Sequence, residues 1–224
     1  MNEYVIIVAG GSGSRMNSDI PKQYLLLHEK PILIHTIEKF YDYNSSIKVI
    51  CCVHKDYITE VTKMMSHYFS EKKIIITEGG ETRFHSVKNG LNQINERESL
   101  VAIHDAARPL VSVVTIQKAF ESAKTNGSGI PVVSVNESIR FIEHNNSKAV
   151  NRNDYKIVQT PQCFKTGLIK NTFEVEYNPS FTDDATVFEY SGNKVSLTEG
   201  NSENIKITLP NDLMIAELLI KNKI

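Results

Sequence analysis

Short, continuous apolar runs recur along this chain at residues 5–9, 48–53, 74–77, 100–104 and 130–135. Each is rich in Val and Ile and bounded by polar residues or Gly. A run that is apolar at every position, rather than at every second one, marks a strand covered on both faces, as in a parallel sheet. Helical spacing fills the intervals, at residues 31–43, 56–69, 82–94 and 113–126. Pro31 sits where a first-turn proline is favoured, and Asn126-Gly127 supplies a helix stop. Helical patterns resume at residues 165–176, 183–190 and 210–220. This alternation predicts an α/β fold with a Rossmann-like, doubly wound, mostly parallel sheet. A length of 224 residues suits one domain, 1–224.

The rhythm changes after residue 135. Ser138 to Glu143 alternates polar and apolar side chains, His144 to Lys148 is turn-like, and residues 149–154 and 155–160 return. This predicts a β-hairpin arm over residues 136–159. A hairpin cannot bury both of its faces on itself. The arm is therefore expected to pack on another subunit and make a homodimer; the alternative is an arm folded back on its own domain.

The formal net charge is -1, so no global basic field points to nucleic acid. Anion binding must come from a local cluster. The three cysteines, Cys51, Cys52 and Cys163, fit neither a zinc site nor a disulfide framework. No apolar run is long enough to span a bilayer, and the start of the sequence lacks a signal-peptide layout. A cytoplasmic location away from membranes is expected.

The first chemistry-bearing stretch follows the first strand: residues 8–24 read VAGGSGSRMNSDIPKQY. It is not a Walker A loop, because no Gly-Lys-Ser/Thr closes it, and the third glycine of a dinucleotide fingerprint falls on Met16. Two cations accompany the glycines. Arg15 offers a planar donor fork and Lys22 a compact point charge. With the loop N–H groups they would surround a polyphosphate on several sides. The alternative puts both on a solvated surface, against which Pro21 fixes the chain beside Lys22.

The second stretch, His104-Asp105-Ala106-Ala107-Arg108-Pro109, ends the fourth apolar run. Ligands of open α/β sheets sit at strand carboxyl ends, so Asp105 and Arg15 are expected in one crevice. A carboxylate beside a triphosphate suits Mg²⁺ or another divalent cation; the alternative is a helix cap. Magnesium prefers oxygen, so His104 is read as packing or as a support. The third stretch is Gly79-Gly80-Glu81-Thr82-Arg83-Phe84-His85-Ser86, where glycines allow a flat ligand to approach and Ser86 could bond a base or ribose. A plain strand-to-helix turn explains it equally well. Thr182-Asp183-Asp184 reads as a helix start, and residues 204–208 as a short strand with one projecting lysine.

Taken in order, AGGSGSRM, PKQY, GGETRFHSV, HDAARP, QTPQ, TDDA and NIKIT resemble the 2-C-methyl-D-erythritol 4-phosphate cytidylyltransferases of the non-mevalonate isoprenoid pathway. The resemblance runs from about residue 4 to residue 220. Ribitol-5-phosphate cytidylyltransferases share the scaffold; HDAARP and TDDA favour the isoprenoid family. The resemblance implies a nucleotide-diphospho-sugar transferase-like fold and Mg²⁺-dependent transfer of CMP from CTP to a sugar-alcohol phosphate. It implies that Ala9, Gly10, Gly11 and Gly13 hold CTP phosphates, that Arg15 and Lys22 are catalytic, and that Gly80, Arg83 and Ser86 surround the cytidine. Asp105 would bind the metal, with Ala106 beside it on the nucleotide. Arg108, Thr160 and Lys206 would line the sugar-phosphate site, and Ser138 and Arg152 on the arm would reach a neighbouring subunit's site. Gly10 stands where the family often has alanine, and Ser138 where threonine is common. Rival readings are CDP-ribitol synthesis and a nucleotide-binding regulatory module without turnover. A phosphate monoester, with its second pKa near ~6, is already a nucleophilic dianion at neutral pH, so no general base is required.

Overall fold

Tyr4, Val5, Ile6 and Ile7 are all buried, and their side chains alternate between two separate cores. That is what a continuous apolar run requires when both sheet faces are covered. The computed structural model describes residues 1–11, 16, 20–144 and 146–221, and it bears out the α/β architecture. β1 (Glu3–Ala9) leads through β2 (Leu26–Leu27) and β3 (Lys30–Pro31) to α1 (Ile32–Tyr43) and β4 (Lys48–Val53). There follow α2 (Ile58–Tyr68), β5 (Ile75–Glu78), α3 (Arg83–Asn92), β6 (Leu100–Asp105), α4 (Val113–Asn126) and β7 (Ser128–Ser134). A hairpin, β8 (Arg140–Glu143) and β9 (Asn146–Ala149), precedes β10 (Lys156–Val158) and β11 (Gln162–Lys165). The chain ends through α5 (Thr166–Thr172), α6 (Asp184–Tyr190), β12 (Leu197–Glu199) and α7 (Pro210–Lys221).

The central sheet has the order β10-β7-β11-β6-β1-β4-β5, with β12 also on β7. β6, β1, β4 and β5 run parallel; β11 inserts antiparallel between β6 and β7. Val49, Cys51 and Val53 of β4 face one core, and Ile50 and Cys52 face the other.

The arm departs from its expected extent. Asn146, Ser147 and Lys148 belong to a strand rather than to the turn, so the free hairpin is confined to residues 140–149. Residues 156–158, expected in the arm, pair antiparallel with β7 in the central sheet. Their backbone extends the central sheet there, while their side chains stay exposed. Residues 204–208 form no paired strand. Instead the Ile207 N–H donates to the Ala107 carbonyl at 2.9 Å, and Ile207 joins a small third core with Leu27, Ile32, Leu110 and Ala216.

Helix α4 has the expected ends. Ser112 accepts from the Thr115 N–H at its start, and Gly127 adopts φ 92° at its stop. Its backbone lies directly on β7, because Gly129 presents no side chain: a Cβ there would fall 2.1 Å from the Ala119 carbonyl oxygen. A backbone atom cannot rotate away, so the helix itself would have to shift. Gly129→Ala should destabilise the protein by about 1–3 kcal/mol. The melting temperature should fall by roughly 2–4 °C for each kcal/mol, and an unchanged melting curve would show that this contact is not tight.

Candidate active site

Parallel strands deliver their carboxyl ends to one edge of the sheet, and three loops meet there. Val8 pairs with both Asp105 and Cys52, and Val53 pairs with Glu78, so the loops after β1, β5 and β6 start along one edge. The Ala106 N–H donates to the Val8 carbonyl at 3.1 Å, and the Gly79 N–H to the Val53 carbonyl at 2.7 Å. Gln23, buried, ties down the start of the glycine loop: its amide donates to the carbonyls of Ala9 at 2.6 Å and Gly11 at 3.0 Å. Ser86 holds the third loop, accepting from the Gly80 N–H and donating to the Thr82 carbonyl, both at 3.0 Å.

These loops enclose a cavity of about 340 Å³ whose wall includes Lys22, Arg83, Asp105 and Lys206. A second cavity, of about 290 Å³, shares Arg83, Asp105 and Lys206 and adds Arg108, Thr160 and Asp183. The first lies at the lower end of the ~300–1,000 Å³ of small-molecule sites.

Asp105 is the electrostatic centre. Its Oδ2 lies 2.8 Å from Lys206 Nζ and 3.5 Å from Arg108 Nε, and its Oδ1 lies 3.3 Å from Arg83 Nε. Burial pushes this carboxyl up, but Arg83, Lys206 and Arg108 together outweigh it and hold the group far below the usual carboxylate range. The cations are held in turn. Arg83 forks onto buried Asp184 at 2.8 and 2.7 Å, and Arg108 donates to the Asn204 carbonyl at 2.7 Å. Burial disfavours the Arg83 charge, and the two carboxylates more than restore it. His104 is fully buried beside Phe40, with ring centroids 5.1 Å apart; burial pushes its pKa down to about 4, so the ring is neutral near pH 7.

This arrangement can hold two anions against one wall. A family model described as "IspD: 2-C-methyl-D-erythritol 4-phosphate cytidylyltransferase" matches residues 4–222. The chain is 48% identical over 220 residues to the protein of that name from Phocaeicola vulgatus, covering 98% of this chain and 100% of the relative. The crystal structure of the Francisella tularensis protein of that name superposes with a TM-score of 0.81 at 35% identity, covering 97% of this chain and 99% of that one. The chain belongs to the 2-C-methyl-D-erythritol 4-phosphate cytidylyltransferase family.

Against the family's expected site, Ala9, Gly10, Gly11, Lys22, Gly80, Arg83, Ser86, Asp105 and Ala106 all line the first cavity. Arg108 and Thr160 line the second, and Lys206 lines both. Gly13 and Arg15 lie outside the described residues. Ser138 and Arg152 are exposed on the arm and line neither cavity. The Ser86 hydroxyl spends its proton on Thr82, so toward a ligand it offers only an acceptor. A methyl group at Gly10 would meet Ser86 Oγ at 3.4 Å, an ordinary contact, so an alanine could be accommodated there.

The supporting residues Gln23, Asp184 and Asn204 escaped the sequence reading. Gln23 and Asn204 act through backbone carbonyls, which leave no trace in composition or period. Asp184 did leave a signal: of two consecutive aspartates at a helix start, Asp183 makes the capping box with Thr186, and the second needs another partner.

The depressed Asp105 pKa fixes a sign. It adds stability above the unfolded value of ~3.9, and that contribution fades as pH falls below it. Asp105→Asn should therefore be less stable than the parent protein at pH 7, with the gap narrowing by pH 3 in denaturant titrations. A gap independent of pH would contradict the ionic clamp.

Proposed function

We propose that this protein transfers the cytidylyl group of CTP to 2-C-methyl-D-erythritol 4-phosphate, releasing pyrophosphate. The observation that carries this reading is the shared wall: two cavities, one beside the glycine loop and one beside Arg108 and Thr160, meet at Asp105, Arg83 and Lys206. CTP occupies the first and the sugar phosphate the second. A phosphate oxygen of the sugar phosphate forms a new bond to the α-phosphorus of CTP, and the bond from that phosphorus to the bridging oxygen breaks. The electron pair leaves with pyrophosphate. The attacking group is a dianion near neutral pH, so no proton needs removal.

The chain's own part is positioning and charge. Arg108 and Lys206 hold the sugar phosphate, while Lys22 lines the triphosphate cavity and offsets the charge growing on the leaving group, a role the family resemblance also gives to Arg15. Asp105 is the group to hold a divalent cation. Among the described residues its Oδ1 has only the 3.3 Å Arg83 contact, which leaves acceptor capacity. Among the described residues no cluster of three His, Cys, Asp or Glu offers a complete cage. One carboxylate completed by phosphate oxygens and water is a typical magnesium environment. When bound, the ion supplies charge neutralisation at the phosphates.

The arm supports a homodimer. Phe141 and Ile142 on the hairpin are 53% and 65% exposed, and Tyr155 and Ile157 beside it are 45% and 51% exposed. Ser138 and Arg152, outside their own chain's cavities, then reach the partner's sugar-phosphate cavity. A cytoplasmic location accords with three buried, unpaired cysteines. No helix among the described residues is long and apolar enough to cross a membrane.

The deciding experiment measures pyrophosphate release from CTP and Mg²⁺ with 2-C-methyl-D-erythritol 4-phosphate and ribitol 5-phosphate offered separately. Turnover is expected with the first; turnover with ribitol 5-phosphate alone would transfer the assignment. Lys22→Ala should lower kcat at least ~100-fold, the scale of one lost preorganised donor; near-normal turnover would refute its role. Mixing inactive Lys22→Ala with inactive Arg152→Ala should restore part of the activity, because one site of each mixed dimer is then intact. No recovery, or a monomeric mass in sedimentation, would rule out the shared site.

A further inference from the structure

We infer that His104 is a positioning residue for the sugar phosphate, acting through the hydroxyl of Thr160 and the carbonyl of Arg108. The inference rests on the reading of the second cavity given above. His104 lines neither cavity and is fully buried, so any effect on a ligand passes through its neighbours. Its Nε2 lies 3.1 Å from the Arg108 carbonyl oxygen, and its Nδ1 lies 3.0 Å from Thr160 Oγ1. Thr160 Oγ1 is in turn 3.1 Å from the Asp105 backbone nitrogen.

The proton order along this chain follows from its two ends. A carbonyl oxygen only accepts, so Nε2 carries the ring proton. A backbone N–H only donates, so Thr160 uses one lone pair to accept from Asp105. The remaining proton, that of the Thr160 hydroxyl, goes to Nδ1, which is a bare acceptor in this tautomer. Every link then has one donor and one acceptor. The edge-on Phe40 ring packs against the imidazole.

The relay has a consequence for recognition. With its proton committed to His104, Thr160 offers the second cavity a lone pair and no hydrogen. It therefore suits a hydroxyl group of the polyol, which can donate, and not a phosphate oxygen, which cannot. Phosphate falls to Arg108, whose main chain is tied to His104, and to Lys206. One ring thereby sets the hydroxyl contact and the backbone of the residue providing the phosphate contact.

The test has a spectroscopic and a kinetic arm. Nitrogen-15 NMR of the ligand-free protein should show His104 as the Nε2–H tautomer, with the Nδ1 resonance moving toward its unbonded position in Thr160→Val. An Nδ1–H tautomer would overturn the inference. In steady-state kinetics, His104→Leu should raise KM for the sugar phosphate by ~10-fold, the scale of one buried hydrogen bond lost, with KM for CTP nearly unchanged. His104→Gln carries an amide that can donate to Arg108 and accept from Thr160, and it should recover most of the loss. In a Thr160→Val background, His104→Leu should cost less than it does in the parent protein, because the Thr160 link is already cut and only the Arg108 link is left to lose. Equal rises in both KM values, or losses that multiply in the double variant, would overturn the relay. Should His104→Leu fail to fold, the glutamine variant and the tautomer still decide. A parent protein inert toward both sugar phosphates would sink the proposed function, while the tautomer would continue to test the hydrogen-bond order.

Discussion

A single buried carboxylate, Asp105, makes the cation cluster of this protein possible. Arg83, Arg108 and Lys206 converge within 3.5 Å of it. Without a negative group at that point, three positive charges behind a mostly apolar wall would repel one another at low dielectric. With Asp105 and Asp184 in place, the three cations each stand within reach of a carboxylate, and Lys22, Glu81 and Asp183 complete the charged lining of the two cavities. A chain with a formal net charge of -1 thus gathers these cations where the strands end. Long-range attraction plays little part in this design, and the local field does the sorting of ligands.

The legibility of the fold in the sequence follows from which forces are periodic. β4 was readable to the residue, because each of its positions except Lys48 is buried on one face or the other. α4 was equally legible, since Ser112 and Gly127 mark its two ends with side-chain and backbone chemistry. The arm was less so. An alternating pattern says that a strand has one wet face, but not whether its neighbour is a hairpin partner or the central sheet. Residues 156–158 took the second option because β7 offers an open edge beyond its short pairing with β11. Asp105 and Lys22 could be picked out because a charged residue at a strand end or beside a glycine loop is out of place unless something binds, whereas Lys206 came only with the family resemblance. Gln23 and Asn204 could not, because an amide that bonds to a distant carbonyl is specified by three-dimensional proximity alone.

The loop sequence also shows how close packing and chemistry constrain one another. Gly80 lies against His85: a Cβ at position 80 would fall 2.2 Å from the His85 Cβ. The same residue donates its N–H to Ser86, whose hydroxyl in turn bonds to Thr82 at the start of α3. A side chain at this position would push apart the turn that sets the direction of Arg83, and with it the fork onto Asp184. The wall shared by the two cavities is thus built outward from a turn too tight for any residue but glycine.

The three cations around Asp105 differ in how firmly they are held, and the difference bears on how ligands enter. The Arg83 guanidinium uses all its strong contacts on Asp184 and Asp105, and Arg108, 13% exposed, is tied to the Asn204 carbonyl. Lys206 is the most exposed, at 38%, and its partner at Asp105 is a single oxygen. A flexible ammonium exchanges partners at less cost than a forked guanidinium. An arriving phosphate can therefore draw Lys206 away from Asp105 without disturbing the rest of the wall. Release of that lysine leaves Oδ2 with only its longer Arg108 contact among the described residues as the second anion is neutralised, so that the two fixed arginines keep the geometry while the lysine follows the charge.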